Sequence, residues 1–261
     1  MSVWVALVLG LIQGLTEFLP ISSSGHLTLA EGLLGITEGN NFFNVLLHLA
    51  TLLSVIVVFI DEIADLIKHP FGKKMRLLFV AMLPTIIIAL AIKFLASELF
   101  KLTFLGFGFL ISATLLLVTY TATKNQPQSL NAPNLEAISY KQALMIGISQ
   151  GFTVLPGITR SGTTICTGVL SGLSRTNALK FSFLLSIPVI IASMVLEVVS
   201  SGFSAPPIDF IACLVGSLSA FISSLLSLKF MMKLARKGKW IWFSIYLFAL
   251  SFGVLIFTFA M

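Results

Sequence analysis

Glu17 lies inside an otherwise apolar stretch, with Gln13 one helical turn before it and the run Pro20-Ile21-Ser22-Ser23-Ser24-Gly25-His26 directly after it. A carboxylate at membrane depth is costly unless it is paired, hydrated or metal-bound. Glu17 is therefore read as a working group, the structural alternative being a place near the outer interface or a salt bridge to Arg160. Gln13 and Glu17 share a helix face and can together hold a cation or a water, although an amide also serves as glue between membrane helices. Capping of a helix start explains one serine of Ser22, Ser23 and Ser24, but not three followed by His26. A helix N-terminus with free N–H groups binds phosphate, a serine or histidine can attack phosphorus or relay a proton, and Glu17 can orient or deprotonate it. The bland reading of His26 is an interhelical hydrogen bond.

A second cluster, Pro156-Gly157-Ile158-Thr159-Arg160-Ser161-Gly162-Thr163-Thr164, has the same interrupted character. Arginine at this depth needs an anion, and its planar fork suits the oxygens of a phosphate. Thr159, Ser161 and Thr164 can cap the following helix or touch the same anion. The two clusters are related. At an offset of 137 residues Gly10, Gln13, Gly14, Thr16, Ile21, Ser24 and Gly25 meet Gly147, Gln150, Gly151, Thr153, Ile158, Ser161 and Gly162. Glu17 then faces Val154, and His26 faces Thr163, so one copy carries acid–base groups and the other the cation.

The elements that must position these groups are membrane helices. Of the 261 residues 57% are hydrophobic and only 10% charged, far below the roughly 25% charged content of soluble domains. Six stretches of bilayer-spanning length are predicted, at 42–60, 76–95, 102–121, 178–198, 207–228 and 240–260. The regions 3–35 and 140–173 are broken at their centres by the two clusters, and each half is too short to span. Irregular backbone is tolerated at membrane depth only where protein or a wet cavity satisfies it, so both are read as re-entrant helical hairpins. The predicted fold is an all-α polytopic membrane protein of six transmembrane helices plus two re-entrant helical hairpins. It forms one integral membrane domain over 1–261, with repeat 1 over about 1–122 and repeat 2 over about 138–261. Three crossings per copy invert the second copy, which makes the repeats inverted in topology.

The net charge of +6 does not indicate nucleic acid, because the Lys and Arg residues sit in short loops between spans. With 61–75 inside, alternation places 122–140, 173–178 and 229–239 inside as well, and these loops with their margins hold thirteen cations from Lys68 to Lys239. Lys93 and Lys101 fall outside, both termini lie outside, and one hairpin enters from each face. No basic n-region precedes the first apolar segment, which is read as retained. His48 and Asn44, one turn apart, either bond between helices or line a cavity. His69 is read as solvated, Asp61, Glu62 and Asp65 as a solvated helix end, Glu197 and Asp209 as interfacial, and Cys166 and Cys213 as small core residues. Gly10xxxGly14, Gly147xxxGly151 and Gly168xxxGly172 are read as close-packing faces.

The segment Gln13-Gly14-Leu15-Thr16-Glu17-Phe18-Leu19-Pro20-Ile21-Ser22-Ser23-Ser24-Gly25-His26, with Pro156-Gly157-Ile158-Thr159-Arg160-Ser161-Gly162, resembles the bacterial undecaprenyl-diphosphate phosphatase (bacitracin-resistance) family over essentially the whole chain. The resemblance implies a multi-pass enzyme of the bacterial cytoplasmic (inner) membrane that removes the terminal phosphate of undecaprenyl diphosphate, with its site on the external face. It recycles the lipid carrier for peptidoglycan and cell-wall synthesis. By matching, Glu17, Ser23, His26 and Arg160 take the catalytic positions, and Gln13, Ser22, Ser24, Thr159, Ser161 and Thr164 the substrate-binding ones. The family's dependence on divalent cations implies Mg²⁺ or Ca²⁺ on Glu17, with Gln13 beside it where many members carry a second carboxylate. Ser23 is the favoured nucleophile, with His26 or a water as alternatives. The rival function is a lipid-phosphate transporter or flippase, which uses the same inverted-repeat architecture. The acid phosphatase superfamily, which also uses Ser-Gly-His, needs a second downstream histidine, and none follows His69. No nucleic-acid partner is expected, and the sequence sets no oligomeric state.

Overall fold

A computed structural model describes residues 1–36, 41–96, 99, 102–125, 134–201 and 209–260. The described residues are helical with no strand. The helices are α1 (Val3–Thr16), α2 (Ser23–Leu33), α3 (Asn41–Val58), α4 (Ile60–Lys68), α5 (Lys73–Leu95), α6 (Leu102–Thr123), α7 (Tyr140–Gly151), α8 (Arg160–Leu170), α9 (Arg175–Ser201), α10 (Phe210–Lys237) and α11 (Ile241–Ala260). Six of them, α3, α5, α6, α9, α10 and α11, are long and apolar enough to cross a bilayer, where a helix satisfies every backbone group within the segment. They match the six predicted spans. Along α5, Phe79, Leu83, Ile87, Leu90 and Phe94 form an exposed apolar stripe, as do Leu214, Leu218, Ile222, Leu226 and Phe230 along α10. Apolar stripes of this size face lipid in a multi-pass membrane protein.

Both interrupted regions are helix–break–helix units, α1 and α2 around residues 17–22, α7 and α8 around 152–159. The sequence differs from the structure in two places. The span predicted to end at 228 continues as α10 to Lys237, since Leu228, Met231 and Ala235 are buried and carry the helix past the hydrophobic stretch. The segment after α3 is a separate short helix, α4, whose Leu66 is buried while Ile60 and Ile67 are exposed. The start of the fifth predicted span and Lys101 lie outside the described residues.

The two units are seated by matched glycines. A Cβ on Gly10 would stand 2.2 Å from the Gly216 carbonyl oxygen, and one on Gly14 2.3 Å from that of Ala220, so α1 lies backbone to backbone on α10. A Cβ on Gly147 would stand 2.0 Å from the Ala81 carbonyl oxygen, and one on Gly151 2.5 Å from Ile88 Cβ, which seats α7 on α5 in the same way. The other main pairings are α6 with α11, α3 with α10 and α9, and α8 with α6, α7 and α9. α8 is buried along most of its length, from Ser161 to Val169, whereas α2 buries only Gly25 and Leu27.

Gly14→Val is expected to lower the thermal midpoint in detergent, because overpacking costs about 1–3 kcal/mol. Gly32→Ala, at an exposed helical position with nothing within 4 Å of the new Cβ, is expected to stabilise by about 1 kcal/mol. Equal midpoints for the two variants would contradict the seating.

Candidate active site

Each break is a turn that ends in a capped helix start. In the first, Ser22 takes φ +68°, a conformation uncommon for residues other than glycine. Its hydroxyl accepts from the Gly25 N–H at 3.4 Å, and its carbonyl accepts from the His26 N–H at 3.2 Å and lies 2.8 Å from His26 Nδ1. In the second, Gly157 takes φ +81° and Thr159 caps α8, accepting from the Gly162 N–H at 3.2 Å. Ser112 of α6 fastens this turn, its hydroxyl donating to the Gly157 carbonyl at 3.1 Å and accepting from the Thr159 N–H at 3.0 Å.

The two breaks meet. Arg160 forms an ion pair with Glu17 and donates a second bond to the Ser186 carbonyl of α9 at 3.3 Å. The other Glu17 oxygen accepts from Ser23 Oγ at 2.6 Å and from Gln13 Nε2 at 2.9 Å. Ser161 Oγ donates to the Leu19 carbonyl at 2.9 Å, a further tie between the breaks. Removing one partner of a buried ion pair typically costs about 3–5 kcal/mol, because the other charge is left without compensation. Glu17 and Arg160 therefore hold one another in place as well as holding the two units together.

A cavity of about 430 Å³ opens on this junction, within the size range of small-molecule sites. Glu17, Ser22, Ser23, Ser24, Thr159 and Arg160 line it. Its remaining wall is largely apolar and comes from α5 and α9, including Ile86, Leu90 and Leu196, which are also 37, 36 and 36% exposed. The cavity thus reaches the flank of the bundle. A polar floor under an apolar sleeve open to the side can take an anionic headgroup whose hydrocarbon tail stays in the bilayer.

Six of the ten sequence-predicted residues line the cavity, and four do not. Gln13 is buried behind Glu17. Ser161 is taken up by Leu19, while Thr164 bonds back to the Arg160 carbonyl at 2.9 Å and to Ser182 Oγ at 2.6 Å. His26 faces another way: its Nε2 is 2.7 Å from the Tyr246 hydroxyl of α11, and the two rings stack with centroids 5.7 Å apart. Both of its ring nitrogens are engaged outside the cavity.

The structure adds His48, Thr85, Gln150, Thr153 and Ser193 to the lining. His48 Nδ1 lies 2.8 Å from the carbonyl of its own-helix neighbour Asn44, so the interhelical bond is made instead by Asn44, whose Nδ2 donates to Glu31 at 3.3 Å. Gln150 was visible in the sequence as the partner of Gln13 at the 137-residue offset. Thr85 is the single hydroxyl of α5, with no spacing to mark it, and Ser193 follows Ser182 and Ser186 at helical spacing along α9.

Comparison with known proteins places the chain in a family. Residues 6–253 match the family described as bacitracin resistance protein BacA. An undecaprenyl-diphosphatase of Carboxydothermus hydrogenoformans is 39% identical over 260 residues, covering 98% of this chain and 97% of that protein. One of Christiangramia forsetii is 38% identical over the whole of both chains. One of Korarchaeum cryptofilum is 36% identical over 98% of this chain and 99% of that protein. The family match runs through both breaks and five of the six long helices in full, ending within the sixth, and the chain belongs to the bacitracin resistance protein BacA family.

Proposed function

We propose that this protein hydrolyses undecaprenyl diphosphate to undecaprenyl phosphate and inorganic phosphate at the junction of its two broken helices, in the bacterial cytoplasmic membrane. The named relatives support the substrate. The observation that carries the chemistry is the Ser23–Glu17–Arg160 arrangement: a hydroxyl on a carboxylate that is itself held by a guanidinium, all three in the wall of one cavity.

Ser23 is the nucleophile and Glu17 takes its proton. A diphosphate entering the cavity competes with Glu17 for Arg160 through a bidentate guanidinium–phosphate contact. As Arg160 turns to the phosphate, the buried carboxylate loses its counter-charge and is ready for the proton of Ser23. Oγ then bonds to the terminal phosphorus, the bond from phosphorus to the bridging oxygen breaks, and the proton passes from Glu17 to the departing undecaprenyl phosphate. Arg160 and the N-terminus of α2 stabilise the charge on the transferring group. His26 acts through the turn: its bonds to the Ser22 carbonyl fix the strained residue that aims Ser23 at Glu17. Water then releases phosphate from Ser23.

Gln13 Oε1 is buried beside the Glu17 carboxylate with no partner among the described residues, and oxygen donors of this kind suit a hard cation. Glu17 with Gln13 would hold Mg²⁺ or Ca²⁺, which neutralises diphosphate charge when bound. Among the described residues no group of three or more His, Cys, Asp or Glu side chains is placed to hold a metal, so the rest of its coordination would fall to water and the diphosphate itself.

The units α1–α2 and α7–α8 are proposed to be re-entrant hairpins of two inverted repeats in a single domain. Seating of α1 on α10 and of α7 on α5, with α6 on α11 and α3 on α9, supports this reading, because exchanging the two halves maps this set of contacts onto itself. The cavity is proposed to face the external side, as are both termini. α5 and α9 begin with Lys73, Lys74 and Arg175, Lys180, and they enter the lining only at Met82 and Val189. Thr85 is about 18 Å along its helix from Lys73 at about 1.5 Å per residue, and positive ends lie inside.

Ser23→Ala, Glu17→Ala and Arg160→Ala are each expected to cut phosphate release from purified protein by at least about 100-fold. Glu17→Ala or Arg160→Ala alone also destabilises, and the double variant regains stability without activity. Lipid binding by the unaltered protein with no phosphate release would favour transport instead. A trapped phosphoenzyme labelled on His26 would overturn the Ser23 assignment. In cation titrations Gln13→Glu is expected to lower the half-saturating concentration several-fold and Gln13→Ala to raise it, and no change in either would remove the cation from Gln13. Leu196→Cys, in a background lacking Cys166 and Cys213, is expected to react with an impermeant thiol reagent applied from outside, and reaction only from inside would reverse the sidedness.

A further inference from the structure

His26 turns away from the cavity to a partner on the last helix, and the chemistry of that partner matters. Tyr246 lies on α11, whose Ser244 and Ser251 hydroxyls donate to the α6 carbonyls of Ala113 at 2.7 Å and Gly106 at 2.8 Å. These bonds, one on each side of Tyr246 in the chain, hold α11 in one rotation against α6. In that rotation the Tyr246 ring stacks on the His26 ring at 5.7 Å with 18° between the planes, and Phe109 of α6 meets the same imidazole edge-on at 5.7 Å. For the stacking alone a phenylalanine would serve. The hydroxyl is what a phenylalanine would lack, and it lies 2.7 Å from His26 Nε2.

The protons of the imidazole are assigned from its partners. Nδ1 lies 2.8 Å from the Ser22 carbonyl oxygen, which can only accept, so Nδ1 carries a proton. In the neutral ring the other nitrogen then has a lone pair, and Nε2 accepts from the Tyr246 hydroxyl. The opposite tautomer would turn a lone pair of Nδ1 on the carbonyl and lose the bond to Ser22. Which nitrogen of a histidine is protonated is set by the hydrogen bond that the other makes, so the tyrosine hydroxyl selects the tautomer that fastens the turn. From there the path to the reacting group is short. Ser22, at φ +68°, directly precedes Ser23, whose Oγ is 2.6 Å from Glu17.

We infer that Tyr246 is a positioning residue for Ser23: its hydroxyl holds His26 in the Nδ1–H tautomer, and that ring holds the turn from which Ser23 faces Glu17. The inference rests on the hydrolytic reading above, with Ser23 as the attacking group. Tyr246 is not part of the cavity lining, so it acts on the rate of phosphoryl transfer and not on the binding of the diphosphate.

The test uses purified full-length protein with undecaprenyl diphosphate. Tyr246→Phe keeps the stacked ring and removes one oxygen. It is expected to lower kcat about 10-fold with KM changed less than about threefold, and to slow the formation of phosphoenzyme on Ser23. In nitrogen NMR of protein carrying isotopically labelled histidine, the His26 signals are assigned by their loss in His26→Asn. They are expected to show Nδ1–H in the unaltered protein and a mixture of tautomers in Tyr246→Phe. In His26→Asn the side-chain amide can donate to the Ser22 carbonyl with no tautomer to select, so adding Tyr246→Phe to that variant is expected to change kcat less than about twofold. Unchanged kcat, a lowered kcat with the Nδ1–H tautomer retained, or an equal loss in both backgrounds would overturn the role of Tyr246 while leaving the phosphatase reading in place. Failure of the unaltered protein to release phosphate would overturn both.

Discussion

The ion pair between Glu17 and Arg160 is the constraint on which the rest of the structure depends. Neither charge is stable alone at this depth, and each sits on a break where helical hydrogen bonding has stopped. Pairing them solves two problems together, since it neutralises the charges and brings two stretches of open backbone to one place. The same pair is a poor resting place for Arg160 once a stronger anion arrives. A diphosphate offers more oxygens and more charge than a carboxylate already shared with Ser23 and Gln13. The contact that joins the two breaks is therefore also the one that substrate would open.

Seating the pair requires that the breaks be brought within reach of each other, and the glycines do this. Gly10 and Gly14 let α1 touch the backbone of α10, and Gly147 and Gly151 let α7 touch that of α5. Between them α8 is enclosed, its hydroxyls bonded to Leu19, Ser182 and its own carbonyls. α2 is less enclosed, burying only Gly25 and Leu27, with its serines on the cavity. The two units differ in enclosure: on the proposed mechanism the second supplies the cation from a buried helix, and the first presents the nucleophilic hydroxyl from a helix that is less buried.

Much of this was legible in the sequence, because its strongest signals are costly choices. A glutamate, an arginine and two Pro-Gly-hydroxyl clusters inside apolar sequence are tolerated only for a structural or chemical return, and a 137-residue offset ties them together. What stayed hidden depends on side-chain direction. His26 lies three residues from Ser23, yet its ring turns to Tyr246, a residue 220 positions away with no motif around it. Thr85 and Ser193 reach the cavity because of how α5 and α9 are rotated, which apolar periodicity does not encode. The extension of α10 to Lys237 was hidden for another reason, since hydropathy marks where the bilayer ends and buried Met231 and Ala235 mark where the helix does.

The diversion of His26 has a physical consequence. A residue at φ +68° without a glycine's freedom costs about 1–3 kcal/mol and persists only where its surroundings over-determine it. At Ser22 they do so: its carbonyl faces both nitrogen donors of His26, its hydroxyl accepts from Gly25, and the far side of the imidazole is held by Tyr246. That set of bonds leaves the turn little freedom to relax. The next residue, Ser23, is thereby held 2.6 Å from Glu17 before any substrate is present. On the proposed mechanism a histidine used in this way contributes to phosphoryl transfer by fixing an angle, and the proton chemistry falls to the carboxylate that the arginine releases.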